Sequence, residues 1–210
     1  VSTLIFTIIF NRVAMIPTDG LPPLLFYMCG LAAWNYFADC LNRTSGTFVA
    51  NANIFGKVYF PRLSVPVSVV VSNLVKFGIQ FALFLGLMVF FSLRTSKIYP
   101  NAYILLTPLL LLLMAALGLG AGIIVSSLTT RYRDLQVLVG FGVQLLMYAT
   151  PIVYPLSSVP DRYQWILLIN PMTPVIEVFR YAFLGNGTFS AASLLYSAGA
   201  TLVILFLGIL

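Results

Sequence analysis

Six apolar runs separated by polar punctuation organise the chain. The first covers residues 1 to about 10. It falls short of the roughly 20 residues a helix needs to cross a bilayer, so a span there must begin upstream. A loop over 11–23 follows, marked by Arg12, Pro17, Asp19, Gly20 and the Pro22-Pro23 pair. The second span is predicted over about 24–41. The stretch 42–63 is more polar, with Arg43, Asn51, Asn53, Lys57 and Arg62; it is helix-capable up to Pro61 and amphipathic rather than spanning. The third span is predicted over about 65–91, and a loop with Arg94 and Lys97 leads to the fourth, about 102–128, the most apolar of all. The sequence TTRYRDLQ at 129–136 forms a compact charged turn before a fifth span over about 137–153. A sixth begins near Ala191.

The segment 154–186 fits neither pattern, being apolar and aromatic yet broken by Pro155, Pro160, Pro171 and Pro174. Two short helices dipping into the membrane against protein suit it best, since non-helical backbone at depth needs protein or water around it. A loop lying flat on the headgroups is the alternative.

Composition turns these runs into a membrane reading. Of 210 residues, 60% are hydrophobic and 8% charged, against about 25% charged in a soluble domain. The net charge of +6 comes without a basic run, which favours Lys and Arg in loops near headgroups over a nucleic-acid face. Orientation by charge is a tie. Arg43, Lys57, Arg62, Arg131 and Arg133 fall on one side, and Arg12, Arg94, Lys97, Arg162 and Arg180 on the other. The chain has no His, which removes the usual general base and metal ligand. Cys29 and Cys40 share one predicted helix, roughly 16 Å apart in rise, too far to bridge. The first residue is not Met and the last run stops without a polar flank, so both ends are expected to be cut.

Candidate chemistry is sparse. Asn73, Lys76 and Gln80 share a face of the third span, and a polar stripe in a membrane helix normally faces the bundle interior or a watery path. Asp39, an acid inside a span, lies at a similar depth to Lys76. Either the two pair or line a polar conduit, or Lys76 snorkels while Asp39 sits near an interface. Trp34, Tyr36 and Phe37 cluster in the second span, and Tyr148 and Tyr154 lie along the fifth; packing, interface belts and sugar stacking are all open to them. Together Trp34, Tyr36, Phe37, Asp39, Asn73, Lys76, Gln80 and Tyr148 form the candidate channel set. Gly118 and Gly122 form a small-xxx-small pair read as helix packing. No paired carboxylates, nucleophile elbow, phosphate-binding loop or metal cluster is legible.

Four stretches carry a family resemblance: NANIFGKVYFPRL at 51–63, TRYRDL at 130–135, ATPIVYP at 149–155, and NPMTP at 170–174 with Glu177, Phe179 and Arg180. In order and spacing they resemble the ABC-2 export permeases, particularly the branch exporting O-antigen, capsule and teichoic-acid polymers. The resemblance implies an all-α integral membrane fold in the bacterial inner membrane, with one domain over 1–210. It implies six transmembrane helices, a cytoplasmic coupling helix, and two short re-entrant helices on the periplasmic side between spans five and six. On this resemblance the first and last spans are expected to be truncated, and the family's N-terminal cytoplasmic helix to be missing from the sequence. The expected partners are a second copy of the chain, a separate ATPase dimer carrying ATP and Mg, a lipid-linked glycan and membrane lipids, with no nucleic acid.

The coupling set is then Asn51, Asn53, Phe55, Lys57, Tyr59 and Arg62, joined by Arg131, Arg133 and Asp134, which alternatively form a local cap of the fifth helix. The exit gate is Tyr154, Pro155, Pro171, Glu177 and Arg180, with Glu177 and Arg180 spaced to pair across one turn. The chain itself does no covalent chemistry in this reading. Export of a drug or another lipid, and a membrane-embedded glycan-processing enzyme, are the competing readings.

Overall fold

The computed structural model describes residues 2–7, 9–10, 17–51, 61, 63–94, 99–132 and 134–210. Among them the fold is all-helical. Its helices are α1 (Ser2–Phe6), α2 (Pro23–Ser45), α3 (Thr47–Ala50), α4 (Ser64–Arg94), α5 (Thr107–Arg131), α6 (Leu135–Ala149), α7 (Asp161–Leu168), α8 (Met172–Leu184) and α9 (Ala191–Ile209). Short 3-10 turns at Ala102–Leu106 and Leu156–Ser158 precede α5 and α7.

Four helices of the described residues are long and apolar enough to cross a membrane: Pro23–Ser45, Ser64–Arg94, Ala102–Thr130 and Ala191–Ile209. α7 and α8 pass the same test only as a pair, and they are bent by 106°. Counting that pair as one span gives up to five, where the sequence led us to expect six. The main correction concerns the fifth. The apolar pattern ran to 153, but the helix stops at Ala149. Pro151 is the reason: the residue before a proline is pushed out of the helical region, and Thr150 is extended at φ −101°, ψ 143°. The remaining 15 residues span about 22 Å, short of the ~30 Å hydrocarbon core. α1 is shorter still, and α2 runs on to Ser45, into the stretch the sequence assigned to the amphipathic segment.

Prolines set the helix starts. Pro23 opens α2 and Pro108 lies in the first turn of α5, where the missing N–H is not needed. α2 is the central element, packed against α4, α5, α6 and α8. Glycines on α5 permit this closeness. A Cβ on Gly118 would lie 2.7 Å from Cys40 Cβ, and one on Gly122 would lie 2.6 Å from Thr44 Cβ. On its other face, a Cβ on Gly120 would lie 2.7 Å from Leu205 Cα of α9. In lipid, where apolar surface is not driven inward, such backbone approach is the main source of helix affinity. α4 and α9 turn large apolar side chains outward, among them Val75, Ile79, Leu195 and Phe206, as a lipid-facing surface does.

The loops gather at two ends. At one, the ends of α2 and α5 meet the starts of α4 and α6 around a shared cleft. At the other, Asp19, Asn101, Ser157 and Asn186 join the remaining loops.

Candidate functional site

Three rungs tie α2 to α4. Asn35 donates to Gln80 at 3.4 Å, Lys76 Nζ lies 2.6 Å from Asp39 Oδ2, and Asn73 donates to Cys40 Sγ at 3.7 Å. The polar stripe of α4 therefore meets a matching stripe on α2, and the ion pair between Asp39 and Lys76 is formed. Asn73 is buried, whereas the Lys76 side chain is 58% exposed. The aromatic cluster beside them does not line open space. Trp34, Tyr36 and Phe37 are buried, with Trp34 against Phe37 at 5.2 Å and Tyr36 against Phe77 at 5.3 Å. Buried in this way, their rings are not open to a sugar from within a single chain. Tyr148, in contrast, is exposed on α6.

A denser node lies where α8 meets the α6–α7 connection. Arg180 Nη1 donates to Glu177 Oε1 at 3.0 Å, with both side chains buried. Arg180 Nη2 donates to the carbonyls of Pro151 at 3.0 Å and Ile152 at 3.4 Å. The guanidinium carbon sits 3.9 Å from the centre of the Phe26 ring on α2, a cation–π contact. Gly30 makes room, since a Cβ there would lie 3.2 Å from Nη2. Glu177 Oε2 accepts from the Thr188 N–H at 3.3 Å. One guanidinium thus joins α8, α2 and the turn after α6. The pairing of Glu177 with Arg180 was readable at i, i+3; the carbonyl partners were not singled out. A signal for them existed. A helix would pair the Pro151 carbonyl with the N–H of residue 155, and that residue is Pro155, which has none.

The other exit-gate residues surround this node. Tyr154 donates to the Tyr148 carbonyl at 3.4 Å, Pro155 is buried, and the Pro171 carbonyl accepts from Ser197 Oγ of α9 at 2.6 Å. Tyr196 donates to the Ile169 carbonyl at 2.8 Å, so α9 holds the link between α7 and α8 at two points. On the same face Ser157 donates to Asp19 at 3.0 Å and Asn186 to the Asp19 carbonyl at 2.8 Å.

At the opposite end lies a cleft of about 550 Å³, lined by Arg43, Asn51, Ser68, Ser72 and Gln136 among others. Asn51 follows α3, its amide donating to the Thr47 carbonyl at 2.9 Å. Asn53, Phe55, Lys57, Tyr59, Arg62 and Arg133 lie outside the described residues, as does the side chain of Arg131. Asp134 stands at the N-cap of α6, but its carboxylate makes no capping hydrogen bond. Among the described residues no group of three or more His, Cys, Asp or Glu is placed to hold a metal ion.

Residues 1–184 match the family described as ABC-2 type transporter. An O-antigen export system permease protein RfbA from Klebsiella pneumoniae is 31% identical over 187 residues, 88% of this chain and 70% of that protein. Another RfbA, from Myxococcus xanthus, is 27% identical over 98% of this chain and 76% of its own length. The polysialic acid transport protein KpsM of Escherichia coli is 28% identical over 88% of this chain and 70% of its own. The match runs from α1 to the end of α8, across both polar nodes, and the chain belongs to the ABC-2 type transporter family.

Proposed function

We propose that this chain is the transmembrane subunit of an ABC exporter that moves a lipid-linked polysaccharide of the O-antigen or capsule type across the inner membrane. Similarity to O-antigen export permeases over 88% of the chain carries the reading. The structure is compatible with it. α2 and α4 are pinned by polar rungs, and α4 starts at the cleft end, so a push near the 42–63 segment would reach α4 and α2 together. In this reading that segment, with Arg131, Arg133 and Asp134, meets a separate ATPase dimer that carries ATP and Mg. The bent pair α7 and α8 forms two re-entrant helices that close the exit, and α1 and α6 belong to the first and fifth of six spans. Two copies of the chain form the conduit, and Tyr148 on the exposed face of α6 faces it.

Co-purification from the native host tests this. The chain should bring down an ATPase whose hydrolysis rises with a polyprenyl-linked glycan. A chain that purifies without any ATPase, under conditions where a control permease retains its own, would overturn the proposal.

A further inference from the structure

α7 has no close-packed seat. None of its side chains is buried, and Tyr163, Trp165 and Ile166 are exposed, as is Ile169 just after it. Between it and the first two turns of α9 lies an apolar crevice of about 450 Å³, lined by Trp165, Leu168, Ile169, Ala192, Ser193 and Tyr196. α9 is a candidate span, so its first turns mark the depth at which headgroups give way to chains. Trp and Tyr beside an Arg are the side chains that favour that depth. Arg162 stands one turn before Trp165 on the same side of α7, at the edge of the crevice and outside its lining. Its guanidinium lies 5.8 Å from the Tyr163 ring centre, and no carboxylate is within ion-pair distance of it among the described residues. The neighbouring Asp161 instead accepts from Gln164 at 2.9 Å. Below the crevice the apolar track continues along α9 past Gly199, where nothing lies within 4 Å of a built Cβ, to the exposed Val203 and Phe206.

A cation without a carboxylate partner one helical turn before an apolar crevice, and a bare track beyond it, have the polarity profile of one molecule: an anionic phosphate head on a long hydrocarbon chain. We propose that this groove holds an anionic glycerophospholipid of the surrounding bilayer, its phosphate on Arg162 and one chain between Trp165 and Tyr196, and that the lipid is the packing partner of α7. Abundance favours a bilayer lipid, since occupancy follows concentration over dissociation constant. The site does not depend on which substrate is exported.

The chain has two tryptophans, and Trp34 is buried while Trp165 is 61% exposed. Quenching by lipids brominated in mid-chain therefore reads Trp165 in the intact protein, with Trp165→Phe supplying the Trp34 background. In phosphatidylcholine bilayers, brominated phosphatidylglycerol should quench Trp165 with about five-fold preference over brominated phosphatidylcholine, the selectivity of one basic residue near a headgroup. Arg162→Gln should erase that preference and leave quenching by phosphatidylcholine unchanged, and Arg162→Lys should keep it. Equal quenching by both lipids, or a preference that survives Arg162→Gln, overturns the proposal. So does polyprenyl phosphate displacing the brominated lipid at a lower mole fraction than unlabelled phosphatidylglycerol, which would assign the groove to a carrier lipid.

Discussion

Arg180 concentrates more interactions than any other charged side chain in the described structure, and its burial sets their weight. Removing one partner of a buried ion pair strands the other charge, which costs about 3–5 kcal/mol. Arg180→Met alone should therefore lower the thermal midpoint of the purified protein sharply, and Glu177→Gln should do so less, because Gln keeps an acceptor toward Arg180. The double substitution Glu177→Leu/Arg180→Met should recover part of the loss, since well-packed apolar groups can replace a buried pair. A double variant worse than the sum of the singles would show that the carbonyls of Pro151 and Ile152, left without a donor, dominate instead. Lys76 and Asp39 behave differently, being partly exposed in the single chain. A double-mutant cycle on Asp39→Asn and Lys76→Met should give a coupling of about 1 kcal/mol or less by thermal melting. Additive singles would mean that the 2.6 Å contact adds no stability.

At the level of helices, the α2–α5 seam is held by backbone proximity, so volume decides its stability. Gly118→Leu must displace Cys40 and the Phe37 carbonyl, and overpacking of this kind costs about 1–3 kcal/mol or more. Gly86 on α4 faces open space. Gly86→Ala should be neutral or stabilising by up to about 1 kcal/mol, the helix-propensity difference. Comparing the two variants by thermal melting in one detergent separates packing from propensity. Equal effects would argue against the close α2–α5 approach. The small-xxx-small spacing was legible in the sequence. That α5 carries a second contact glycine, Gly120, for α9 was not, because a run of mixed Gly and Leu reads alike on every face.

Across the whole molecule, the end that gathers Asp19, Ser157 and Asn186 bridges the α1–α2 loop to both flanks of the bent pair. If α7 and α8 gate the exit, that bridge must loosen during transport. A cysteine pair, Asp19→Cys with Ser157→Cys, should on oxidation stop export in cells and release it on reduction, while ATPase binding persists. Export that continues through the crosslink would show that the loop and the 3-10 turn move as one body. The native Cys29 and Cys40 are buried and should not interfere.

The sequence by itself determined the membrane as solvent, the positions of the long apolar helices and the proline-broken segment after the fifth. Each follows from local facts: run length, charge scarcity and the missing N–H of proline. It also placed Glu177 and Arg180 one turn apart, and Asp39 and Lys76 at like depth. Only the tertiary structure decided which faces meet. It turned the α4 stripe toward α2, buried Trp34, Tyr36 and Phe37 and set Arg180 on the carbonyls of Pro151 and Ile152. Those outcomes rest on contacts between residues far apart in the chain, which helical periodicity does not encode when nearly every position is apolar.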